Sequence, residues 1–209
     1  MTSVVAFVSQ KGGVGKSTLA RALAREASAG NLNVKVADLD TQQGTSVDWH
    51  RVRLSNHMVP TISVEAFATA AQALRSANGF DLLIIDGPAR TSQATLEIAR
   101  ASALVVQPTG PSLDDLRPAV REFHALIQAG IARERLVFAL NRIGTSAEEA
   151  DARGYLSEAG YSVLEGSLLE RPAYRQAQNQ GQAITETRYN ALKQKADELI
   201  QSMIDRITG

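Results

Sequence analysis

Gln10-Lys11-Gly12-Gly13-Val14-Gly15-Lys16-Ser17-Thr18 decides how the rest of this chain is read. Before it lies an apolar run at 3–9 (SVVAFVS), which reads as a buried strand; after it, 18–29 (TLARALAREASA) has the spacing of a helix. Strand, glycine-rich turn and helix in that order make the setting of a phosphate-binding loop. Glycines at 12, 13 and 15 remove the Cβ atoms that would hold a polyphosphate off the backbone. They also allow φ values at which successive N–H groups point into one concavity. The helix that follows adds unpaired N–H groups and the positive end of its dipole. The expected cradle therefore runs through Gly12, Gly13, Val14, Gly15, Lys16, Ser17 and Thr18. Lys16 is the candidate partner of the β- and γ-phosphate oxygens, and the Ser17 hydroxyl is the candidate ligand of Mg²⁺.

Outward from the loop, apolar runs alternate with helical patterns at short spacing. Strands are expected at 3–9, 34–38, 61–65, 82–86, 103–107, 136–141 and, with a weaker pattern, 162–166. Helices are expected at 16–28, 46–54, 68–77, 92–101, 113–129, 147–159, 172–179 and 188–207. Alternation of this kind implies βαβ units. The expected fold is α/β: one domain with a mainly parallel, twisted sheet of about seven strands and helices on both faces. At 209 residues and 44% hydrophobic content the chain suffices for one core, and no Gly/Ser/Pro-rich or charge-rich stretch divides it. Ligands of such sheets bind at the carboxyl ends of the strands. Lys11, Asp38, Asp40, Asp86 and Asn141 all fall at or just after expected strand ends, so separate motifs converge on one edge. Asp86 follows Leu83-Ile84-Ile85, which brings a carboxylate out of a buried strand toward the metal shell; an alternative is a cap on the next helix. Asp38 and Asp40 are two apart and share a side while the backbone stays extended. An N-cap or a turn suits either as well.

The loop resembles the deviant Walker A box of the ParA/MinD ATPases, KGGVGKST here, in which Lys11 is the extra lysine. Residues 34–42 (VKVADLDTQ) match that family's strand ending in Asp-x-Asp-Pro-Gln, with Thr41 in place of the proline. Residues 80–86 (FDLLIID) match its Walker B strand, followed by Gly87-Pro88-Ala89 where Asp-x-Pro-Pro is commoner. Residues 107–112 resemble its proline-rich βα loop, 136–142 (LVFALNR) its adenine-contacting strand, and 168–186 its C-terminal block. The resemblance implies ATP and Mg²⁺ as cofactors and an ATP-dependent sandwich homodimer that hydrolysis releases. It implies that Lys11 crosses the dimer interface to the partner's phosphates, and that Asp40 orients or deprotonates the attacking water. Lys11, Lys16 and Asp40 are thus the implied catalytic residues, with Ser17, Asp38 and Asp86 around the metal. Asn141 would contact the adenine with Arg142 flanking the ring, although a strand-end turn explains Asn141 too. Arg90 either approaches the site with the switch loop or is a surface arginine.

Other functions are disfavoured by composition. With no cysteine there is neither a disulfide nor the cysteine-held iron–sulfur cluster of the nitrogenase iron proteins, which share the deviant loop. No apolar run approaches the ~20 residues that span a bilayer, and residues 1–9 lack a signal peptide's features. A cytoplasmic protein, nucleoid-associated when ATP-bound, is the expectation, in the short ParA subgroup without an N-terminal helix-turn-helix domain. Formal net charge is zero, from 22 basic and 22 acidic residues, so nonspecific DNA binding needs a local patch. Arg171, Arg175, Arg188, Lys193 and Lys195 are the candidates, Arg171 also by its match to the family's C-terminal arginine; a solvated helix face explains the cluster equally. His50, His57 and His124 have no metal-ligand spacing. The last helix mixes acidic and basic residues on its polar face, against a MinD-like membrane anchor and any stable membrane association. The expected role is partition of a plasmid or chromosome with a ParB-like centromere-binding partner that stimulates hydrolysis. Alternatives are positioning of a protein cargo or conjugation complex through a cargo adaptor, a MinD-like membrane regulator, and a metabolic P-loop ligase that needs no trans lysine.

Overall fold

The computed structural model describes residues 2–41, 44–89 and 92–208, with Ser92 described in its main chain only. Fifteen strands and helices alternate along it: β1 Ser3–Phe7, α1 Lys16–Ala29, β2 Val34–Asp38, α2 Thr45–Ser55, β3 Ser63–Ala66, α3 Ala70–Arg75, β4 Leu82–Asp86, α4 Ser92–Ala101, β5 Leu104–Thr109, α5 Leu113–Gln128, β6 Leu136–Leu140, α6 Ser146–Glu158, β7 Ser162–Val163, α7 Pro172–Asn179 and α8 Asn190–Thr208. Short 3₁₀ turns at Arg133–Arg135 and Ile184–Glu186 complete the order.

The strands form one seven-stranded sheet, β3-β2-β4-β1-β5-β6-β7, in which every pairing is parallel. From β1 the chain passes over β4 to reach β2, and from β4 it passes over β1 to reach β5. The winding direction therefore reverses around β1, and the crevice that such a reversal opens lies at the carboxyl ends of these strands. Register places the site's carboxylates: Asp86 pairs with Phe7 on one side and with Asp38 on the other.

Period-two alternation divides the core into two layers. Val5, Phe7, Val36 and Ile84 face α1, Trp49 of α2, Tyr174 of α7, and Leu199, Ile200 and Met203 of α8. Val4, Ala6, Leu83, Ile85 and Phe138 face Ala73 of α3, Ile98 of α4, Phe123 of α5 and Leu156 of α6. Because both faces are covered, the central strands carry unbroken apolar runs, as β1 and β4 do.

The expected α/β fold is the observed one, with differences at element ends. β7 stops after two residues, shorter than the expected 162–166, as the chain turns through Gly166 at φ +73°. α3 is shorter than 68–77; its start is set by the Thr69 side chain, which caps it by accepting from the Gln72 N–H at 3.3 Å, and it ends at Arg75. The apolar face of α8 docks on α1 and the sheet, with Leu192, Ile204 and Ile207 at its margin. Among the described residues no helix is long and apolar enough to cross a membrane.

Candidate nucleotide site

Between β1 and α1 the glycine-rich loop opens a cavity of about 250 Å³, lined by Gly12, Gly13, Gly15, Lys16, Ser17, Thr18, Arg21, Asp40, Thr45, Gly87 and Ala89. Gly13 and Gly15 take φ values of +74° and +110°, where an L side chain is strained. Lys16 is 8% exposed, its ammonium 3.4 Å from the Ser9 carbonyl. Burial lowers its pKa, while Asp86, Asp40 and Glu122 act in the opposite direction. A buried cation balanced by carboxylates, at a glycine-rich loop that leads into a helix N-terminus, could receive a polyphosphate.

On the metal side, Asp86 ends β4 and is 1% exposed. Its Oδ2 accepts from the Ser46 hydroxyl at 2.8 Å, while Oδ1 is buried with no hydrogen-bond partner of ordinary geometry. Burial pushes the Asp86 pKa up to about 6; the nearby Ser17 hydroxyl pulls it back and the Asp38 charge adds to the rise. The Ser17 hydroxyl itself accepts from Thr45 Oγ1 at 3.0 Å. An orphaned carboxylate oxygen beside a hydroxyl fits Mg²⁺, which takes oxygen ligands and keeps several waters. Among the described residues no three acidic or histidine side chains converge into a protein-only cage, so the nucleotide's phosphates would have to complete the shell. Ser17 and Asp86 would hold such an ion, which when bound neutralises phosphate charge.

Asp38 is placed differently. It is fully buried, Oδ1 accepting from the Asp40 N–H at 3.0 Å and Oδ2 from the N–H groups of Ser46 and Val47 at 2.9 and 3.3 Å. It holds the turn that carries Asp40 and the start of α2, and burial raises its pKa. Asp40 lines the phosphate cavity, and its carbonyl accepts from the Gly44 N–H at 2.7 Å. Gln42 of the matched strand end and Arg90 lie outside the described residues.

The two loop lysines part company. Lys11 is half exposed, is absent from the lining of its own phosphate cavity, and pairs with Asp115 in the first turn of α5. Asp115 also accepts from the Ser112 hydroxyl at 2.8 Å; partial burial would raise its pKa, but these two hydrogen bonds prevail and hold it low. One residue earlier, the Gln10 N–H donates to Glu122 Oε2 at 3.1 Å, which also accepts from Gln107 Nε2 at 2.7 Å. Sequence reasoning missed Glu122, Asp115, Ser46 and Arg21. A signal existed for Glu122: α5 buries Leu116, Ala119, Phe123 and Leu126, and a glutamate sits within that stripe.

A second cavity of about 410 Å³ shares Gly13, Gly15 and Thr18 with the first and extends to Asn141, Arg142, Arg171, Tyr174, Arg175 and Gln178. Asn141 Nδ2 donates to the Val14 carbonyl at 2.6 Å, and Oδ1 accepts from the Arg142 N–H at 2.9 Å. One amide N–H and one lone pair remain for a base edge. Arg171 and Arg175 thus lie on this cavity, beside the loop. Arg188 lines a separate one with Gln176, Gln180 and Tyr189, and Lys195 on α8 pairs with Glu198 at 3.0 Å. Lys193 is exposed on α8. The five basic residues considered for DNA therefore do not gather at one cavity.

Comparison with known proteins agrees with this geometry. Residues 5–184 match the family model described as the CobQ/CobB/MinD/ParA nucleotide binding domain. The chain is 29% identical over 196 residues to the maintenance of carboxysome distribution protein A of Gloeobacter kilaueensis, covering 93% of this chain and 89% of that protein. Its fold resembles that of the septum site-determining protein MinD of Pyrococcus horikoshii, solved with Mg-ADP, at a TM-score of 0.77, 19% identity, and coverage of 100% of this chain and 98% of that one. It also resembles a McdA variant of Cyanothece solved with ATP, at a TM-score of 0.70, 19% identity, and coverage of 97% and 96%. The family model spans residues 5–184, most of the chain, and the chain therefore belongs to the CobQ/CobB/MinD/ParA nucleotide-binding family.

Proposed function

We propose that this chain is an ATPase working as a nucleotide-gated homodimer, which binds DNA nonspecifically and positions a cargo through an adaptor that stimulates hydrolysis. The observation that carries the reading is the division between Lys16, buried at its own phosphate cavity, and Lys11, outside it and half exposed. A single loop lysine serves the bound phosphates, so a second cation held outside that cavity on Asp115 suits a partner's nucleotide, where on leaving Asp115 it would stabilise charge on the transferring phosphoryl group. Asp40, at the cavity's rim, orients or deprotonates the attacking water. ATP favours the sandwich and hydrolysis dissolves it, with slow intrinsic turnover acting as a timer.

The cargo is either a plasmid or chromosome, reached through a centromere-binding partner, or a protein assembly reached through a cargo adaptor. The similar protein named for carboxysome distribution favours the second. On either version the ATP form is held on the nucleoid. Sizing by light scattering with ATP, ADP or no nucleotide tests the switch: the wild-type chain is expected to double in mass with ATP alone, and Lys11→Ala to stay a monomer. Asp40→Ala is expected to keep ATP and the dimer while losing turnover. A dimer that forms equally in all three states, or a Lys11→Ala chain that dimerises as the parent does, refutes the gating.

A further inference from the structure

We propose that Arg21 is a positioning residue for the metal side of the nucleotide site, acting on Asp86 through Ser46; this rests on the nucleotide and Mg²⁺ reading above. Arg21 lies one helical turn beyond Ser17 on α1, lines the phosphate cavity, and is 8% exposed. Its Nε–H donates to Ser46 Oγ at 3.2 Å, and Nη1 donates to Gln178 Oε1 of α7 at 3.2 Å. The guanidinium lies 5.6 Å over the ring of Trp49, so packing as well as hydrogen bonding fixes it.

A guanidinium is a donor only, whereas a serine hydroxyl has a single proton. Ser46 Oγ must therefore accept from Arg21, and its own proton goes to Asp86 Oδ2, at 2.8 Å. Meanwhile the Ser46 N–H donates to Asp38 at 2.9 Å, and the side chain is fully buried. Arg21 thereby sets the polarity of a chain, Arg21 to Ser46 to Asp86, in which Oδ2 is occupied and Oδ1 is left without a partner, in a carboxylate that Ser17 also approaches. The carboxylate presents one defined oxygen to the metal side. Without Arg21 the Ser46 hydroxyl is free to rotate, and Asp86 loses its anchor.

The charge of Arg21 has an effect of the opposite sign. A cation near Asp86 and Asp38 repels a divalent ion, so deleting it as a bare charge would tighten Mg²⁺ binding. Sign thus separates positioning from electrostatics. The experiment titrates Mg²⁺ into protein with ADP in excess and follows the melting temperature, for wild type, Arg21→Met, Ser46→Ala and the double variant. The expected result is a rise in the half-maximal Mg²⁺ concentration of about tenfold for Arg21→Met. That is about 1.4 kcal/mol, with a similar rise for Ser46→Ala and no further rise in the double variant, the non-additivity of two residues acting in one chain. A fall in the midpoint, a change under threefold, or additive effects would overturn the proposal. A melting temperature lowered equally with and without Mg²⁺ also counts against it, because a merely structural arginine does that. Should Arg21→Met fail to fold, Ser46→Ala decides alone: an unmoved midpoint ends the idea. If wild-type melting ignores Mg²⁺ altogether, it is the site reading that fails.

Discussion

Gly15 shows how tightly single residues are constrained here. A Cβ on it would clash with Asn141 Nδ2, and its φ of +110° is strained for any L residue. Left-handed backbone costs a side chain of about 1–2 kcal/mol, and the clash would also push the Asn141 amide off the Val14 carbonyl. Gly15→Ala is therefore expected to weaken ADP binding on the order of tenfold and to lower the melting temperature, checked by calorimetric titration and scanning. Affinity equal to the parent's would mean that the loop does not need this conformation to hold phosphate. Gly15 was legible because glycines recur at fixed offsets before Lys16. Ser46 and Arg21 were not, and Glu122 showed only as a glutamate within an apolar helical stripe: their roles rest on contacts between distant positions, such as Arg21–Ser46, Ser46–Asp86 and Gln107–Glu122, that only the folded chain creates.

At the scale of elements, α5 approaches the loop with two carboxylates, Asp115 on Lys11 and Glu122 on the Gln10 N–H, seven residues apart and so on one helix face. Burial raises the Glu122 pKa above the ordinary glutamate value of 4.5; the Gln10 and Gln107 hydrogen bonds and the Lys16 charge offset only part of it. The sign follows. Between that ordinary value and the raised one the folded state holds more protons than the unfolded, so stability contributed here falls as pH rises through the window and is level above it. Glu122→Gln keeps an acceptor for Gln10 and cannot ionise. Urea melts from pH 4.5 to 8 are expected to show the variant gaining on wild type as pH increases, whereas parallel curves would mean that Glu122 titrates alike in both states. Elements themselves were largely legible, since central strands such as β1, β4 and β6 are buried apolar runs between turn residues. Their ends were less so. β7 pairs with β6 alone, and the start of α3 is set by a threonine cap inside an alanine-rich stretch.

Over the whole molecule, equal numbers of acidic and basic side chains leave no bulk attraction for nucleic acid, and the proposed DNA binding would have to come from where charge is placed. Arg171 and Arg175 stand on the cavity beside the phosphate loop, whereas Arg188 is on another and Lys193 is on α8. Nucleotide in the cavity and DNA at its edge would then act on the same short helix, α7. A dimer presents two such edges, and each phosphate contact adds about 0.9 to the slope of log affinity against log salt. DNA retention is accordingly expected only with ATP and only in the dimer, weakening steeply between 50 and 200 mM salt, on the scale at which such contacts are lost. Fluorescence anisotropy with a random-sequence duplex reads this directly. Arg175→Ala and Arg188→Ala then separate the two faces: loss of slope in the first alone puts DNA beside the nucleotide, and loss in the second alone moves it to the far cavity. Calorimetric ATP binding by the same variants guards the inference, because Arg175 lines the cavity that continues from the phosphate loop, and a variant that no longer binds ATP would lose DNA for that reason alone. Apo and ATP-loaded protein held equally on the duplex at 200 mM salt would contradict gated binding at either face.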